Sequence, residues 1–223
     1  MMSLLVIENL SKIYKSKKKT IHALDNISLE VEKGDFVTIT GPSGSGKTTL
    51  LLTLAGMIKP SSGKISFNDF HIEKASDRRL AGYRKKNVGF VMQSFALIPY
   101  LTALQNVMVP LSLVNSRSSI QKSKAKKVLE MVGLEDRIYH LPKELSAGQQ
   151  QRVAIARALI NNPSVIFADE PTGNLDPALS GEILKTFKEI NSNQKITILM
   201  VTHSPQAAEY GNKNIRLCDG KLI

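Results

Sequence analysis

Cysteine is almost absent from this sequence, which holds one, Cys218, among 223 residues. A single cysteine leaves no disulfide possible within the chain, so a disulfide-stabilised scaffold is excluded. Tryptophan is missing altogether, and aromatic residues make up only 5% of the chain. The basic segments are therefore not interleaved with the aromatic side chains on which single-stranded nucleic acids stack.

Long apolar runs are also missing, and none reaches the roughly 18 residues that a membrane-spanning helix needs. The nearest candidate, residues 96–114, is broken by prolines and polar residues and indicates a buried loop and helix. The first residues do not resemble a signal peptide, because Glu8 and Asn9 interrupt the apolar segment too early. We therefore expect any role at a membrane to be peripheral.

Positive charge is abundant, with a formal net charge of +11 and basic clusters at 12–19, 78–86 and 117–127. Such a surplus suits nucleic acid, anionic lipid headgroups or polyphosphate ligands. Solvated turns and helix faces explain it more simply. Charge alone therefore does not select a partner.

The order of elements indicates an α/β protein with a helical insertion. Strands are predicted at 4–7, 27–31, 36–40, 64–67, 88–92, 165–168, 196–201 and 214–217. Helices are predicted at 47–57, 77–84, 104–114, 121–132, 148–160 and 177–191. Because the middle block has no strand pattern, we predict one domain, residues 1–223. It has a nucleotide-binding core (1–93 and 158–223) and a helical subdomain (94–157).

One segment fits G-x-x-x-x-G-K-[ST] at every fixed position: Gly41-Pro42-Ser43-Gly44-Ser45-Gly46-Lys47-Thr48. It follows a strand pattern and opens a helical one, as a phosphate-binding loop requires. Glycines let backbone N–H groups point at an anion, and the helix N-terminus adds its dipole. Lys47 is placed to reach the β- and γ-phosphates, and the Thr48 hydroxyl to bind Mg²⁺. A turn that only caps a helix is the alternative, but the flanking pattern favours binding of a nucleoside triphosphate.

Two further strand patterns end in groups suited to phosphate chemistry. The first ends in Asp169 and Glu170, and ligands gather at the carboxyl ends of parallel strands. We expect Asp169 to hold Mg²⁺ through its water shell and Glu170 to orient or deprotonate the attacking water. The second is followed by His203, which can donate to the γ-phosphate, steer the water, or be structural. The other histidines lack ligand-like spacing, so no transition-metal site is indicated.

A second helix N-terminus is predicted at Leu145-Ser146-Ala147-Gly148-Gln149. Ser146 is a natural N-cap, and Gly148 permits close approach of the backbone to a ligand. Together they form a second candidate anion site, although an ordinary helix cap is the alternative. Either both sites hold one triphosphate, or two chains share two.

These segments resemble the ATP-binding subunit of ATP-binding-cassette (ABC) transporters over essentially the whole chain. Residues 41–48 match the Walker A motif, 165–169 the Walker B strand, and 145–149 the signature motif. The resemblance implies a P-loop ATPase core with an N-terminal antiparallel β region and an inserted helical subdomain. The family has Gly where Ala147 stands, so the added methyl group could restrict the backbone there.

The resemblance also implies roles for single residues. Glu170, His203 and Gln93 would be catalytic, and Thr48, Gln93 and Asp169 would hold Mg²⁺. Tyr14 would stack on adenine, and Asp176, in the D-loop, would also bind the nucleotide. The remaining residues expected to bind ATP are Gly41, Pro42, Ser43, Gly44, Ser45, Gly46, Lys47, Thr48, Thr49, Ser146, Gly148 and Gln149.

The partners follow from the same resemblance. Two copies would pair head to tail, each ATP lying between one chain's Walker A motif and the other chain's signature motif. ATP binding would close the pair, and hydrolysis would reopen it. An integral-membrane permease would dock, at the cytoplasmic face of the cell membrane, on the groove around Phe95-Ala96-Leu97-Ile98-Pro99-Tyr100-Leu101.

Residues 97–107 and 168–176 resemble the lipoprotein-release, macrolide-efflux and antimicrobial-peptide-resistance branch. Three functions stay open. The chain could power a membrane complex that exports or extracts a peptide, lipoprotein or hydrophobic drug. It could be a regulatory ATPase for peptide sensing or cell-wall remodelling, without transport. It could instead act on nucleic acid or ribosomes, but a single cassette without an added binding module makes us expect no nucleic-acid partner.

Overall fold

The computed structural model describes residues 3–15, 19–113 and 118–223. In chain order its strands are β1 (Ser3–Lys15), β2 (Thr20–Glu32), β3 (Phe36–Thr40), β4 (Ser62–Phe67), β5 (Phe70–His71), β6 (Val88–Met92), β7 (Val165–Asp169), β8 (Thr197–Val201), β9 (Lys213–Cys218) and β10 (Lys221–Leu222). Its α-helices are α1 (Lys47–Leu54), α2 (Asp77–Asn87), α3 (Ala103–Met108), α4 (Ser118–Met131), α5 (Ala147–Leu159), α6 (Pro177–Gln194) and α7 (Pro205–Ala208). Short 3-10 turns lie at Val109–Leu113, Glu135–Arg137 and Pro142–Glu144.

The strands form two sheets. The first has the order β2-β1-β4-β5 and is antiparallel. The second has the order β10-β9-β3-β8-β7-β6 and is parallel except for the β9–β10 pair at its edge. Parallel strands that are covered on both faces read as continuous apolar runs, which is why β7 and β8 are recognisable in the sequence. The carboxyl ends of β3, β6, β7 and β8 therefore meet at one edge.

The parallel sheet separates two hydrophobic cores, because successive side chains of a strand point to opposite faces. Val37, Phe167 and Leu199 face α1, α2 and the antiparallel sheet. Phe36, Ile166 and Ile198 face the other way, onto α3 to α6. The helical segment thus shares one continuous core with this face of the sheet.

Several element boundaries differ from those predicted. The helix expected at 104–114 is α-helical only to Met108 and continues as a 3-10 turn, because Pro110 has no N–H to donate; Val114 lies outside the described residues. The helix expected at 47–57 ends at Leu54, just before the left-handed Gly56 (φ 65°). Two-residue strands such as β5 and β10 carry too short a pattern to be predicted.

Helix α5 runs to Leu159 and so crosses the predicted boundary between subdomain and core at 157 and 158. It packs against β6, which makes it a part of both regions. The division of the domain therefore stays a prediction. Within the described ranges, no helix is both long and apolar enough to cross a bilayer.

Candidate functional site

The loop of residues 41–48 joins the end of β3 to the start of α1. Gly41 and Gly46 have left-handed φ angles of 149° and 102°. A Cβ atom at Gly41 would overlap the carbonyl oxygen of Leu217, and one at Gly46 would overlap that of Ala23. The close approach of neighbouring backbone therefore demands glycine at both positions.

Lys47 is buried beneath this loop, with 6% of its surface exposed. Its Nζ donates hydrogen bonds to the carbonyl oxygens of Gly41, at 2.9 Å, and Pro42, at 2.7 Å. The ammonium group thus holds the loop curled over itself. Gly46 is the N-cap residue of α1 and, being a glycine, supplies no side-chain cap to the helix. The backbone N–H groups of the first turn are therefore left to a ligand.

A cavity of about 410 Å³ lies over the loop. The described residues that line it come from β2, the loop, α1, β7's end and the turn at Asp219: Ile21, His22, Ala23, Ser43, Gly44, Gly46, Lys47, Thr48, Thr49, Glu170 and Asp219. Tyr14 is not one of the described residues that line the cavity, but it pairs across β1 and β2 with Ile21, which is. Tyr14 is 43% exposed, and Lys12 Nζ lies 5.1 Å from its ring centroid.

Thr48 and Asp169 meet at the start of α1 although 121 residues separate them, with Thr48 Oγ1 donating to Asp169 Oδ1 at 3.0 Å. Burial raises the pKa of Asp169, and the charge of Glu170 adds to this; the hydrogen bond from Thr48 and the charge of Lys47 oppose it. A hydroxyl and a carboxylate are the oxygen ligands that Mg²⁺ prefers. No cluster of three or more His, Cys, Asp and Glu suited to a metal occurs in the described part of the chain. Mg²⁺ needs no such cluster when phosphates complete its shell.

Glu170 and His203 lie next to each other at the ends of β7 and β8. His203 Nδ1 is 3.1 Å from Glu170 Oε2, and because an ionised carboxylate can only accept, Nδ1 carries the proton in this arrangement. Glu170 has a left-handed φ of 45°, which is costly for a residue other than glycine. Its N–H donates to the carbonyl of Val201 at 3.0 Å, so β8 holds the turn in place.

Gln93 follows β6, and the pairing of Met92 with Asp169 sets it beside the carboxylates. Its side chain is bonded to Asn174, with Gln93 Nε2 to Asn174 Oδ1 at 3.4 Å. Asn174 Nδ2 also donates to the carbonyl of Gln93 at 3.0 Å. Asp176 lies on the same connection, where its Oδ1 accepts from the N–H groups of residues 178 and 179 and caps α6.

Ser146 is the N-cap of α5, as its sequence indicates. Its Oγ accepts from the N–H of Gln149 at 3.3 Å, and its own N–H donates to Gln149 Oε1 at 3.0 Å. Gly148 is buried, and a Cβ there would lie 3.2 Å from a methyl group of Leu179. None of the described residues lining the cavity over the loop belongs to 145–149. One chain therefore does not bring Ser146, Gly148 and Gln149 to the loop of residues 41–48.

Sequence reasoning missed four residues that line the cavity: Ile21, His22, Ala23 and Asp219. All four lie outside the phosphate-binding motifs, and only the fold brings them to the loop. Asn174, which bonds to Gln93, had no role assigned to it, although it stands two positions before the predicted Asp176.

The sequence profile described as "ABC transporter" matches residues 24–173, which include the loop of residues 41–48, Ser146 and Glu170. The chain belongs to the ABC transporter family. A relative of this ABC protein is the lipoprotein-releasing system ATP-binding protein LolD of Geobacter metallireducens, 40% identical over 100% of the chain and 99% of LolD. The macrolide export ATP-binding/permease protein MacB of Syntrophobacter fumaroxidans is 43% identical over 99% of the chain but only 31% of MacB.

A solved structure with the same fold is the dimeric, post-hydrolysis state of the ATP-binding cassette MJ0796 bound to ADP and phosphate. It superposes with a TM-score of 0.90 at 40% identity, covering 98% of the ABC protein described here and 96% of that chain. The predicted family and the P-loop ABC cassette fold are thereby confirmed. The chain is the ATP-binding, ATP-hydrolysing subunit of an ABC transporter.

Proposed function

We propose that two copies of this ABC subunit bind two Mg-ATP molecules between them and drive a membrane complex that exports or extracts a peptide, lipoprotein or hydrophobic drug. The observation that carries the proposal is the hydrogen bond between Thr48 Oγ1 and Asp169 Oδ1. It joins the phosphate loop to β7, the strand that Glu170 directly follows. A binding loop and a hydrolytic carboxylate are thereby combined in one site.

The triphosphate would lie along the start of α1. Its β- and γ-phosphates would accept hydrogen bonds from the backbone N–H groups of that turn, to which Gly46 supplies no side-chain cap. Lys47 Nζ would exchange the carbonyls of Gly41 and Pro42 for phosphate oxygens, which carry more negative charge. The adenine would stack on Tyr14.

Thr48, Asp169 and Gln93 are the residues that would hold Mg²⁺. The ion would neutralise charge that develops on the β- and γ-phosphate oxygens. Asp169 must be ionised for this purpose. Because its pKa is raised, the carboxyl group ionises only at a higher pH than an ordinary aspartate. The Thr48 hydrogen bond counteracts that shift, so the two ligands support each other before any ion binds.

Glu170 would accept the proton of the attacking water, and it lines the cavity over the phosphate loop. His203 now donates to Glu170 Oε2. Turning that N–H to the γ-phosphate would release the carboxylate to act as a base. We therefore assign both residues to catalysis and expect the hydrogen bond between them to lengthen or break when ATP is bound.

The position of the α5 N-terminus supports a head-to-tail dimer. Ser146 is exposed and belongs to no part of the cavity lining in its own chain. A partner's ATP could reach it without any change in the fold. The related cassette MJ0796 is dimeric with bound ADP and phosphate. The same pairing here would join Ser146, Gly148 and Gln149 to the partner's triphosphate.

The permease is expected to dock at residues 95–101, on the cytoplasmic face of the membrane. Tyr100 is 77% exposed at the tip of this segment. The backbone behind it is rigid, because the buried Asn106 bonds to the backbone of Ile98 and Leu101. Arg157 of α5 donates to the carbonyls of Phe95 and Ala96, so a displacement of this segment would be transmitted to α5. LolD and MacB act on lipoproteins and macrolides by name, which supports a hydrophobic or lipidated cargo.

The test is Glu170→Gln, which should bind ATP, lose at least ~10²-fold in turnover, and accumulate as an ATP-bound dimer. Turnover is measured by phosphate release and the dimer by gel filtration with Mg-ATP. Glu189→Gln, on the exposed side of α6, is the matched control and should hydrolyse ATP normally. A Glu170→Gln protein that stays monomeric with saturating Mg-ATP would contradict the proposal.

A further inference from the structure

Gln151 is a polar side chain that is completely buried on α5, with 0% of its surface exposed. Its Nε2 donates a hydrogen bond of 2.7 Å to the carbonyl oxygen of Pro171. Its Oε1 accepts no hydrogen bond from any described residue. Leaving a buried acceptor without a partner is unfavourable, so the amide is not explained by stability alone. Its donor end is the part that makes a contact.

The contact falls on the residue directly after Glu170. Glu170 is left-handed, with a φ of 45°, and such a turn persists only when its surroundings hold it. On one side the N–H of Glu170 donates to Val201, and the N–H of Gly173 donates back to the carbonyl of Glu170. On the other side Gln151 bonds to Pro171. The Glu170 turn is therefore held on two sides: β8 fixes the N–H of Glu170, and α5 fixes the peptide between Pro171 and Thr172, one residue further on.

The same helix begins at Ser146, whose side chain caps its first turn. A helix is stiff over one or two turns, so a displacement of its N-terminus is carried to Gln151. Pro171 lies close to Gln151 in space but 20 positions away along the chain. The two are thus joined only through the fold.

We infer that Gln151 is a positioning residue: its amide keeps the Glu170 turn in place and ties that carboxylate to the helix that begins at Ser146. The inference rests on the proposed roles of Glu170 and Ser146. In the proposed dimer Ser146 contacts the partner's ATP. Gln151 then links the occupancy of one nucleotide site to the placement of the base that serves the other.

The first test is Gln151→Met, which keeps the length of the side chain and removes the N–H donor. We expect turnover of Mg-ATP to fall about fivefold to tenfold, the scale of one hydrogen bond. The affinity for ATP, measured by calorimetry, should stay unchanged, because no ligand of the phosphates is altered. Gln151→Asn keeps an amide that is too short to reach Pro171, and it should lower turnover to the same degree.

The matched control is Asn191→Leu on α6. Asn191 is another buried amide, and its Nδ2 donates to the carbonyls of Gly34 and Ile196 at 2.9 Å each, away from Glu170. We expect its loss to lower the melting temperature while turnover of the folded protein stays normal. Gln151→Met should do the opposite. It removes the unpaired Oε1 together with the donor to Pro171, so the two effects on stability offset each other, and we expect a small change in melting temperature with a clear loss of turnover.

The second test combines Gln151→Met with Glu170→Gln. If Gln151 acts through the carboxylate, the double variant should hydrolyse ATP as slowly as Glu170→Gln alone and no slower. Losses that multiply, or normal turnover in both Gln151→Met and Gln151→Asn, would overturn the inference and leave the proposed function standing. A Glu170→Gln protein with normal turnover would instead refute the proposed function itself.

Discussion

Two helices of this protein begin at candidate anion sites, and they begin in different ways. Helix α1 starts at the left-handed Gly46, which has no side chain to cap it. Helix α5 starts at Ser146, which forms a reciprocal pair of hydrogen bonds with Gln149. The N-cap residue of the first helix satisfies none of its N–H groups through a side chain, whereas that of the second satisfies part of them.

The N-termini of α1 and α5 also differ in which other residues of the chain surround them. The α1 end is completed within one chain, by Lys47 beneath the loop and by Thr48 against Asp169. The α5 end meets no group of the phosphate loop within its own chain. Its cap must share or give up a hydrogen bond before it can hold a phosphate. The N-terminus of α1 can therefore bind a ligand with groups of its own chain, whereas the N-terminus of α5 needs a ligand held by another chain.

Lys47→Ala should have the largest effect on the difference between the two helix N-termini, because it disables the α1 site. We expect affinity for ATP to fall by at least ~10²-fold, because a buried cation and its two loop contacts are lost together. Calorimetry measures the affinity. Lys188→Ala is the matched control, since Lys188 also donates to a backbone carbonyl, that of Tyr210, away from the site. Unchanged affinity in Lys47→Ala would refute the assigned cradle.

Tyr14→Ala tests whether the binding site at the N-terminus of α1 extends to a contact with adenine. We expect ATP to bind more weakly by roughly 1–3 kcal/mol if the adenine stacks on this ring. The affinity for inorganic triphosphate should not change. Tyr139 also carries a lysine over its ring, with Lys126 Nζ at 5.9 Å, and Tyr139→Ala should bind ATP normally. Equal loss for ATP and triphosphate would mean that Tyr14 shapes the loop and does not stack on the base.

Ser146→Ala addresses the α5 end. We expect the free energy of unfolding to drop by about 0.5–2 kcal/mol, as for other N-caps, while the monomer keeps its affinity for ATP. Turnover and ATP-dependent dimerisation should both fall. Ser76 caps α2 through the N–H of Arg79, so Ser76→Ala should lose comparable stability and no turnover. If both variants behave alike, Ser146 is only a cap.

Asp169→Asn is expected to have the smallest effect on the unliganded protein. The pKa of Asp169 is raised on folding, so ionisation opposes the folded state. This penalty is fully present at a pH above the pKa of Asp169 in the folded protein. It disappears as the pH falls below the pKa that Asp169 has in the unfolded chain. Removing the charge should therefore leave the melting temperature equal or slightly higher at neutral pH, and the advantage should shrink on acidification. A marked drop at neutral pH would contradict the assigned direction.

Strong local patterns were enough to predict the central strands and most helices. Val88–Met92 and Phe36–Thr40 are strands with the predicted bounds, because buried parallel strands are continuous apolar runs. The end of α3 was harder to predict, since Pro110 removes a hydrogen bond without ending the turn. Short edge strands form only because a neighbour supplies their hydrogen bonds. The roles assigned to single site residues stay predictions.

The chain's own sequence determined which residues could bind a phosphate, because glycines, a lysine and a hydroxyl stand next to each other in one loop. It also determined where α5 begins, since Ser146 and Gln149 are near neighbours that cap a helix locally. Only the tertiary structure decided that Thr48 meets Asp169 and that Gln151 reaches Pro171. Those contacts join distant segments, and they form because the parallel sheet aligns the ends of its strands and α5 packs across its face. No local pattern carries that information.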